Sequence, residues 1–569
     1  MTREGGAATF AETQAKGLKV MHRRSVYSLP PSRALGWAAA LVVAFWGALP
    51  GWANPVEVST YTDGSLKAAG LRVSEGAIRL TLDEAISIAL SRNLGLVVER
   101  YGQRQLGLGI DQEKGFYDLL LSSDLGYSEN SSLNSNRLVQ ADSITAKNTS
   151  LSLGLAQKTP WGGSASFSFS SNRRETSDPT AIQNPSYNAN ARLGISQSLL
   201  KGFGREATDR GLLVARLADK SGRQGFEIAV ADLIQRVEDA YWEVVEARNQ
   251  LNVAQEGLAL AEELHRRNKI QVEVGTSAPL ELIQSEATVA SRQVDIIQAK
   301  TRVGNANDSL RQLLNLEQGE AWDLDVIPET DPASPQIEVT LAEGIAAAIK
   351  TRPEILRQNI EVDRLQLLAR IARNQALPTL DLTAGYGASG LAGTIRNPNP
   401  GPGEPAEIKS DFSDALKQLR DRDFDGWSVG LSFSYPLQNR SARAAVALAD
   451  IDVGRAKTQL AQLEQQVITE VRTAVRQVQA AWQQIQSAGI SRRLQEKNLQ
   501  AEQKRYENGM STSFQVTQIQ DDLTLAKSQE VSAIASYRRA LAGYYRSIGS
   551  LLRETGVQLV QPGPPAATK

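Results

Sequence analysis

The chain contains no cysteine and only two histidines among 569 residues. Disulfides, thiolate metal sites and cysteine nucleophiles are therefore excluded, and His22 and His265 are too few for a histidine-rich metal centre. His265 stands among Glu262, Glu263, Arg266 and Arg267, and is expected to be a solvated helix residue. Aromatics make up only 6% of the chain and mean hydropathy is −0.29, which argues for apolar surface held in narrow seams instead of one large core. Lys and Arg (62) balance Asp and Glu (63) to a net charge of −1. No basic run offers the phosphate footprint of a nucleic-acid binder. Gly202-Phe203-Gly204 and Gly107-Leu108-Gly109 lack the remaining glycines of a nucleotide loop. No catalytic constellation, cofactor site or metal site is visible.

Long apolar runs are also missing, apart from Ala34 to Leu49. Arg23, Arg24 and Arg33 precede that run, and Gly51-Trp52-Ala53 places small residues at −3 and −1. Residues 1–53 are therefore expected to be a secretory signal peptide, with Met21 an alternative start that leaves out residues 1–20. The run is short for a span of about 20 residues, and with no cysteine after it an N-terminal lipid anchor is excluded. An exported chain with no further transmembrane helix can cross a membrane only as a closed β-barrel.

What the chain does have is an internal duplication. Residues 81–127 align without a gap with residues 340–386, with identities that include Thr81/Thr340, Glu84/Glu343, Ala89/Ala348, Leu121/Leu380, Gly126/Gly385 and Tyr127/Tyr386. The expected organisation is an N-terminal linker (54–80), a first structural repeat (81–317), an equatorial linker (318–338), a second repeat (339–556) and a flexible tail (557–569). Each repeat opens with a helix, the first running from Leu82 to about Phe116 on the spacing of Leu82, Ala85, Ile86, Ala89 and Leu90.

Alternating segments follow. In the first repeat they lie near 119–128, 149–157, 164–171 and 188–199, with Leu151, Leu153 and Leu155, then Ala165, Phe167 and Phe169, on one face and small polar residues on the other. Repeated alternation of about ten residues is the signature of transmembrane strands, although a soluble sandwich shares it. The turn 158–163 is short, whereas the links 129–148 and 172–187 are long and polar, as in barrels with short periplasmic turns and long outer loops. The second repeat shows two strands, near 379–388 and 427–437. A long loop between them contains Asn397-Pro-Asn-Pro-Gly-Pro-Gly and is expected to be irregular and outward-facing.

From about 205 to 271 the apolar positions keep a seven-residue rhythm: Phe226, Leu233, Ala240, Ala247, Ala254 and Ala261, and Val230, Val237, Val244, Leu251 and Leu258. This is a coiled-coil seam, and the helix that carries it is on the order of 100 Å long. A matching helix spans about 441–507. Each reverses at a glycine, Gly275 or Gly509, into a second helix, about 279–317 or 513–556.

Four to six strands cannot close a barrel, which takes about eight or more, and an open edge in lipid leaves backbone groups unpaired at several kcal/mol each. A barrel built from this chain must be shared between copies, with the helical hairpins forming a second, α-helical cylinder below it. The fold class is thus an α+β membrane protein with a shared transmembrane β-barrel continuous with a long periplasmic α-helical barrel.

Leu377-Pro-Thr-Leu-Asp-Leu-Thr-Ala-Gly-Tyr-Gly and Val429-Gly-Leu-Ser-Phe-Ser-Tyr-Pro-Leu closely resemble the helix-to-strand and strand-to-helix junctions of the TolC-like outer membrane efflux proteins. Val274-Gly275-Thr276 resembles the family's periplasmic turn, and the likeness spans nearly all the mature chain. The resemblance implies a homotrimer in the cell outer membrane that extends into the periplasm, with an equatorial belt near Gln318 to Glu338. It also implies a tip docking a periplasmic adaptor through Val274, Gly275, Thr276, Asn508, Gly509 and Met510, the second turn matching only at its glycine. The partners implied are that adaptor, an inner membrane transporter of RND, ABC or MFS type, and outer membrane lipid, with no cofactor, no enzymatic activity and no nucleic acid.

By the same resemblance, Glu281, Gln284, Tyr506, Ser511, Gln515 and Gln518 line the periplasmic aperture. Relatives carry acidic residues at the positions of Gln515 and Gln518, so a neutral ring is expected here. Tyr506 and Glu281 match a closing network in which Ser511 replaces an arginine, so hydrogen bonds or packing, without a salt bridge, are expected to hold the tip shut. Pro378 and Pro436 match the family's barrel junctions. From Tyr127 to Leu199 is 72 residues against 51 from Tyr386 to Leu437. The excess fits an inserted hairpin, which would give a trimer 18 strands instead of 12 if it joined the barrel. Three readings remain: a passive outer membrane duct of a tripartite efflux pump, a duct for type I protein secretion, and a nonconducting periplasmic coiled-coil scaffold.

Overall fold

The computed structural model describes residues 72–74, 77–133, 142–316, 320–332, 335–396, 402 and 406–558. The expected signal peptide lies outside these residues. So do most of the 54–80 linker, residues 397–401 of the second-repeat loop, and the tail beyond residue 558.

Strands β1 (Arg72–Ser74) and β2 (Ala77–Leu80) pair and lead into α1 (Leu82–Arg92). That helix opens on a capping box in which Thr81 and Glu84 satisfy each other's backbone donors. At Asn93 it stops: the backbone turns extended, the side chain accepts from Leu96 N and donates to Leu313 O at 2.9 Å, and α2 (Leu94–Lys114) begins. The single helix expected over 82–116 is therefore two.

The first repeat's strands are β3 (Leu120–Leu133), β4 (Ser143–Lys158), β5 (Gly163–Thr176) and β6 (Gln183–Ser198). Each runs about five residues past one of its expected ends, so much of the polar segments 129–148 and 172–187 is strand and not link. After a short α3 (Arg205–Thr208) come the long α4 (Arg210–Glu273) and its return helix α5 (Pro279–Leu314). At 64 residues α4 is about 96 Å long.

Helix α6 (Glu320–Asp323) and β7 (Asp325–Pro328) precede the second repeat. Strand β7 pairs in parallel with β2, so segments expected as plain linkers contribute a three-stranded sheet, β1-β2-β7. The second repeat again has a broken helix, α7 (Leu341–Thr351) and α8 (Pro353–Gln375), with proline at the first helical position of α8. Then follow β8 (Thr379–Arg396), β9 (Glu407–Ile408), α9 (Phe412–Asp421), β10 (Phe424–Ser434), α10 (Arg440–Glu507), α11 (Ser513–Ser547) and α12 (Leu551–Glu554). Helix α9 corrects the expectation of a wholly irregular loop. Asp411 and Asp414 form its capping box, and Phe412, Leu416 and Leu419 pack around Ala415 against Ala189 and Ala392.

The large sheet is antiparallel in the order β10-β8-β6-β5-β4-β3, with β9 on the end of β8. Below it α2, α4, α8 and α10 pack side by side, and farther down α5, α4, α11 and α10 do so. The heptad positions form the seams. Val230, Leu233, Val237, Ala240, Val244 and Ala247 are buried in α4, and Val467, Val471, Ala474, Val478 and Ala481 in α10. Contacts between α4 and α11 combine polar pairs, Arg539–Glu246 at 2.8 Å, Lys527–Glu256 at 2.6 Å and Gln250 Nε2 to Ser528 O at 2.9 Å, with an apolar cluster toward the turns that includes Leu260, Leu264, Val516, Ile519 and Leu523. Near the small sheet, the buried Tyr241 hydroxyl donates to Leu80 O and accepts from Thr330 N, each at 3.0 Å. Tyr537 does the same between Pro335 O and Ile337 N.

Glu238 is buried in this region of α4. Burial, reinforced by Asp239 and Asp83 and opposed by Arg538, pushes its carboxyl from 4.5 up to about 7. The folded protein thus holds a proton that the unfolded chain releases between these values, so stability falls as pH rises from about 4.5 to 7. Glu238→Gln removes that slope. Thermal melting should show the variant matching the parent near pH 4.5 and exceeding it at pH 8 by up to roughly 3 kcal/mol; equal melting at both pH values would refute this.

Candidate functional site

Opposite residues on an antiparallel ladder point to the same face, so the register fixes what each side of the sheet presents. One row runs partner to partner through Leu121, Leu155, Phe167, Leu193, Tyr386 and Trp427. All six are exposed, Trp427 by 80%. Rows above and below add Leu153, Phe169, Ile195 and Val429 to the same face. Among the described residues only α9 covers part of this face, where it packs over Ala189 and Ala392, and the rest of so wide an apolar band is a surface built for an apolar medium. Eight residues up β3 from Leu121 the face turns ionic. Glu129 pairs with Lys147 and Lys147 with Glu175 across the strands, and Lys147 Nζ lies 3.5 Å from Glu129 Oε1. That distance along a strand is about 27 Å, close to the roughly 25 Å height of an outer membrane apolar band. The opposite face is small and polar: Ser122, Gly154, Ser168, Arg192, Gly387 and Gly426 form one row.

Both edges of this sheet are open. Among the described residues β3 pairs only with β4, and β10 only with β8, and every residue of both edge strands is exposed. The helices repeat the pattern. Leu280, Ile283, Val294 and Ile297 of α5, on one flank, and Leu448, Ile451, Ile490 and Leu494 of α10, on the other, are large apolar side chains more than half exposed. Pro378 and Pro436 lie just outside β8 and β10, where no ladder hydrogen bond is needed.

At the far end, α4 turns into α5 through Val274, Gly275 and Thr276, and α10 turns into α11 through Asn508, Gly509 and Met510. Gly275 and Gly509 take φ of +79° and +71°, the left-handed conformation that glycine adopts without strain. Val274 and Met510 are exposed. Tyr506 is buried and crosses between the hairpins, its hydroxyl 2.6 Å from Asn268 Oδ1 and 2.7 Å from Gln271 Oε1. Burial raises its pKa, Glu281 adds to the rise and Arg267 opposes it, so the hydroxyl stays protonated. Ser511 donates to the buried Glu502 and lies 2.9 Å from the Gln515 side-chain amide. The structure thus brings Tyr506 to α4 and ties Ser511 within its own hairpin. Glu281 is half-buried and forms no ion pair among the described residues, and Gln284, Gln515 and Gln518 are exposed. An ion pair does join the hairpins nearby, Arg267 to Glu507 at 2.8 Å.

Asn268, Gln271 and Glu502 were missed in the sequence, although Asn268 carried a signal: it occupies the next seam position after Ala261. His265 occupies the next position of the other series, and its Nδ1 lies 2.9 Å from Ser285 Oγ. It belongs to the α4–α5 seam and is not the solvated residue expected. Among the described residues no cluster of metal-ligating side chains occurs, and no helix is long and apolar enough to cross a membrane.

The family model described as "Outer membrane efflux protein" matches residues 161–316 and 344–550, more than half of the chain. The pyoverdine export outer membrane protein OpmQ of Pseudomonas aeruginosa is 25% identical over 380 residues, which cover 66% of this chain and 72% of OpmQ. The fold is similar to that of the Campylobacter jejuni CmeC outer membrane channel, at a TM-score of 0.59, 16% identity and coverage of 83% and 86% of the two chains. It is also similar to the Neisseria gonorrhoeae MtrE outer membrane channel, at a TM-score of 0.56, 18% identity and coverage of 83% and 89%. With a sheet whose apolar face needs lipid and helical hairpins that extend it, the chain belongs to the outer membrane efflux protein family, the TolC-like channels of the outer membrane.

Proposed function

We propose that three copies of this chain form a passive duct that carries small molecules across the outer membrane as the last component of a tripartite efflux pump. The observation that carries the reading is the two-faced sheet with both edges unpaired, continuous with helices that leave apolar stripes on the same two flanks. One copy's β10 and α10 then meet the next copy's β3, α2 and α5, and the small polar face lines the lumen. The exposed turns at Val274–Thr276 and Asn508–Met510 are the docking points for a periplasmic adaptor, through which an inner membrane transporter supplies the energy. Planar-bilayer recordings of the detergent-extracted protein, with cross-linking to count chains, should give stable single-channel steps from a trimer. A nonconducting or monomeric product would refute the duct.

The exposed Gln284, Gln515 and Gln518 are proposed to give the aperture a neutral lining. Multivalent cations should therefore block the channel weakly, and the pair Gln515→Glu and Gln518→Glu should create block, read as loss of current on adding a trivalent cation. Equal sensitivity of parent and variant would contradict that lining.

Tyr506 is proposed to hold the tip closed through Asn268, which is fully buried. Removing the hydroxyl costs about 1 kcal/mol for the lost bond and leaves a buried amide short of a partner. Tyr506→Phe should raise single-channel conductance or the time spent in larger steps, and an unchanged record would exclude the role.

A further inference from the structure

The hairpin β4–β5 has no counterpart in the second repeat, where the residues between the two junction strands carry α9 instead. The alignment of the repeats places β3 opposite β8, and the strand-to-helix junction after β6 corresponds to that after β10. The family match begins at Trp161, in the turn between β4 and β5, so β3 and β4 fall before it. Yet the hairpin is no appendage. Strand β4 pairs with β3 from Ser143 to Ala156 and β5 pairs with β6 from Gly163 to Arg174, so the hairpin sits in the middle of the sheet. Its turn is fixed at the level where strands become helices: Ser198 N donates to Gly162 O at 3.4 Å and Gly204 N to Trp161 O at 3.3 Å. Gly162 has φ of +88°, and a Cβ there would lie 2.2 Å from Gly202 O, so the turn is pressed against the β6–α3 junction. The hairpin also keeps the two-faced pattern, with Leu153 and Phe167 on the apolar side and Ser152, Ser166 and Ser168 on the other.

We infer that β4 and β5 are membrane-spanning wall strands, so that three copies close an 18-stranded barrel with a serine-rich lumen above a tunnel of four helices per copy. This rests on the shared-barrel reading above. Strand direction permits it: β3 and β10 run oppositely, so β10 of one copy meets β3 of the next antiparallel, as a closed ladder requires. Barrel diameter grows roughly linearly with strand number, so the bore is about one and a half times that of a 12-stranded barrel. The duct widens toward the outside, its outer mouth imposes no size limit on hydrophilic cargo, and selection by size falls to the helical tip.

The absence of cysteine gives a clean test. Single variants Ser152→Cys, Ser168→Cys, Leu153→Cys and Phe167→Cys on the hairpin, with Thr383→Cys and Leu382→Cys on β8 as controls, are reconstituted in liposomes and exposed to a charged methanethiosulfonate reagent. The serine and threonine positions should react at least tenfold faster than the leucine and phenylalanine positions on both strands. If β8 alternates while both hairpin faces react alike, the hairpin lies outside the wall and this inference fails, though the barrel stands. If β8 does not alternate either, the barrel reading itself fails. Imaging of the unmodified trimer provides a count independent of any variant: 18 strands support the inference and 12 overturn it.

Discussion

Everything in this molecule follows from the need of backbone amides and carbonyls for partners where water is absent. In a bilayer each unsatisfied group costs several kcal/mol, and the edge strands β3 and β10 together present two full rows of them. The chain cannot satisfy these rows by itself, since its sheet is too narrow to close. It can do so only by presenting edges that fit one another, and the antiparallel order of six strands leaves edges of opposite direction. The helices carry the same incompleteness downward, with apolar side chains exposed on the flanks beneath those edges.

Two kinds of contact divide the labour below the sheet. Within each hairpin the heptad seams bury small and β-branched side chains, which lets helices approach closely and fixes their register. Between hairpins the α4–α11 contact adds ion pairs and amide hydrogen bonds such as Arg539–Glu246 and Gln250 to Ser528 to a buried apolar cluster of Leu264, Val516 and Leu523. Near the turns that joint is held by Tyr506, Asn268 and Gln271 together with the apolar cluster.

The seams and the strand cores were legible in the sequence because each has a period that side chains obey locally, as Val230, Val237 and Val244 or Leu151, Leu153 and Leu155 show. The strand ends were not: beyond Glu129 and Arg173 the side chains no longer alternate, and the ladder alone keeps the backbone extended. The break at Asn93 was hidden because part of its cause is a hydrogen bond to Leu313, distant in sequence. Helix α9 carried a readable cap at Asp411 and Asp414, but the Pro-Gly run before it dominated the reading. At the tip, the residue types at Tyr506 and Ser511 could be placed by resemblance. The Tyr506 partner Asn268 depends on how two distant hairpins pack, and the Ser511 partner Glu502 on the turn that folds α11 back along α10.

In the proposed shared wall, the hairpin between β3 and β6 also says how such a wall can evolve. Adding one strand would reverse one edge and leave neighbouring copies unable to mate, whereas adding two restores the original polarity. Because the added pair lies in the interior of the sheet, the edges proposed to join neighbouring copies are untouched. Circumference can thus change by insertion into a single loop, in steps of two per subunit, without any compensating mutation at the subunit boundary.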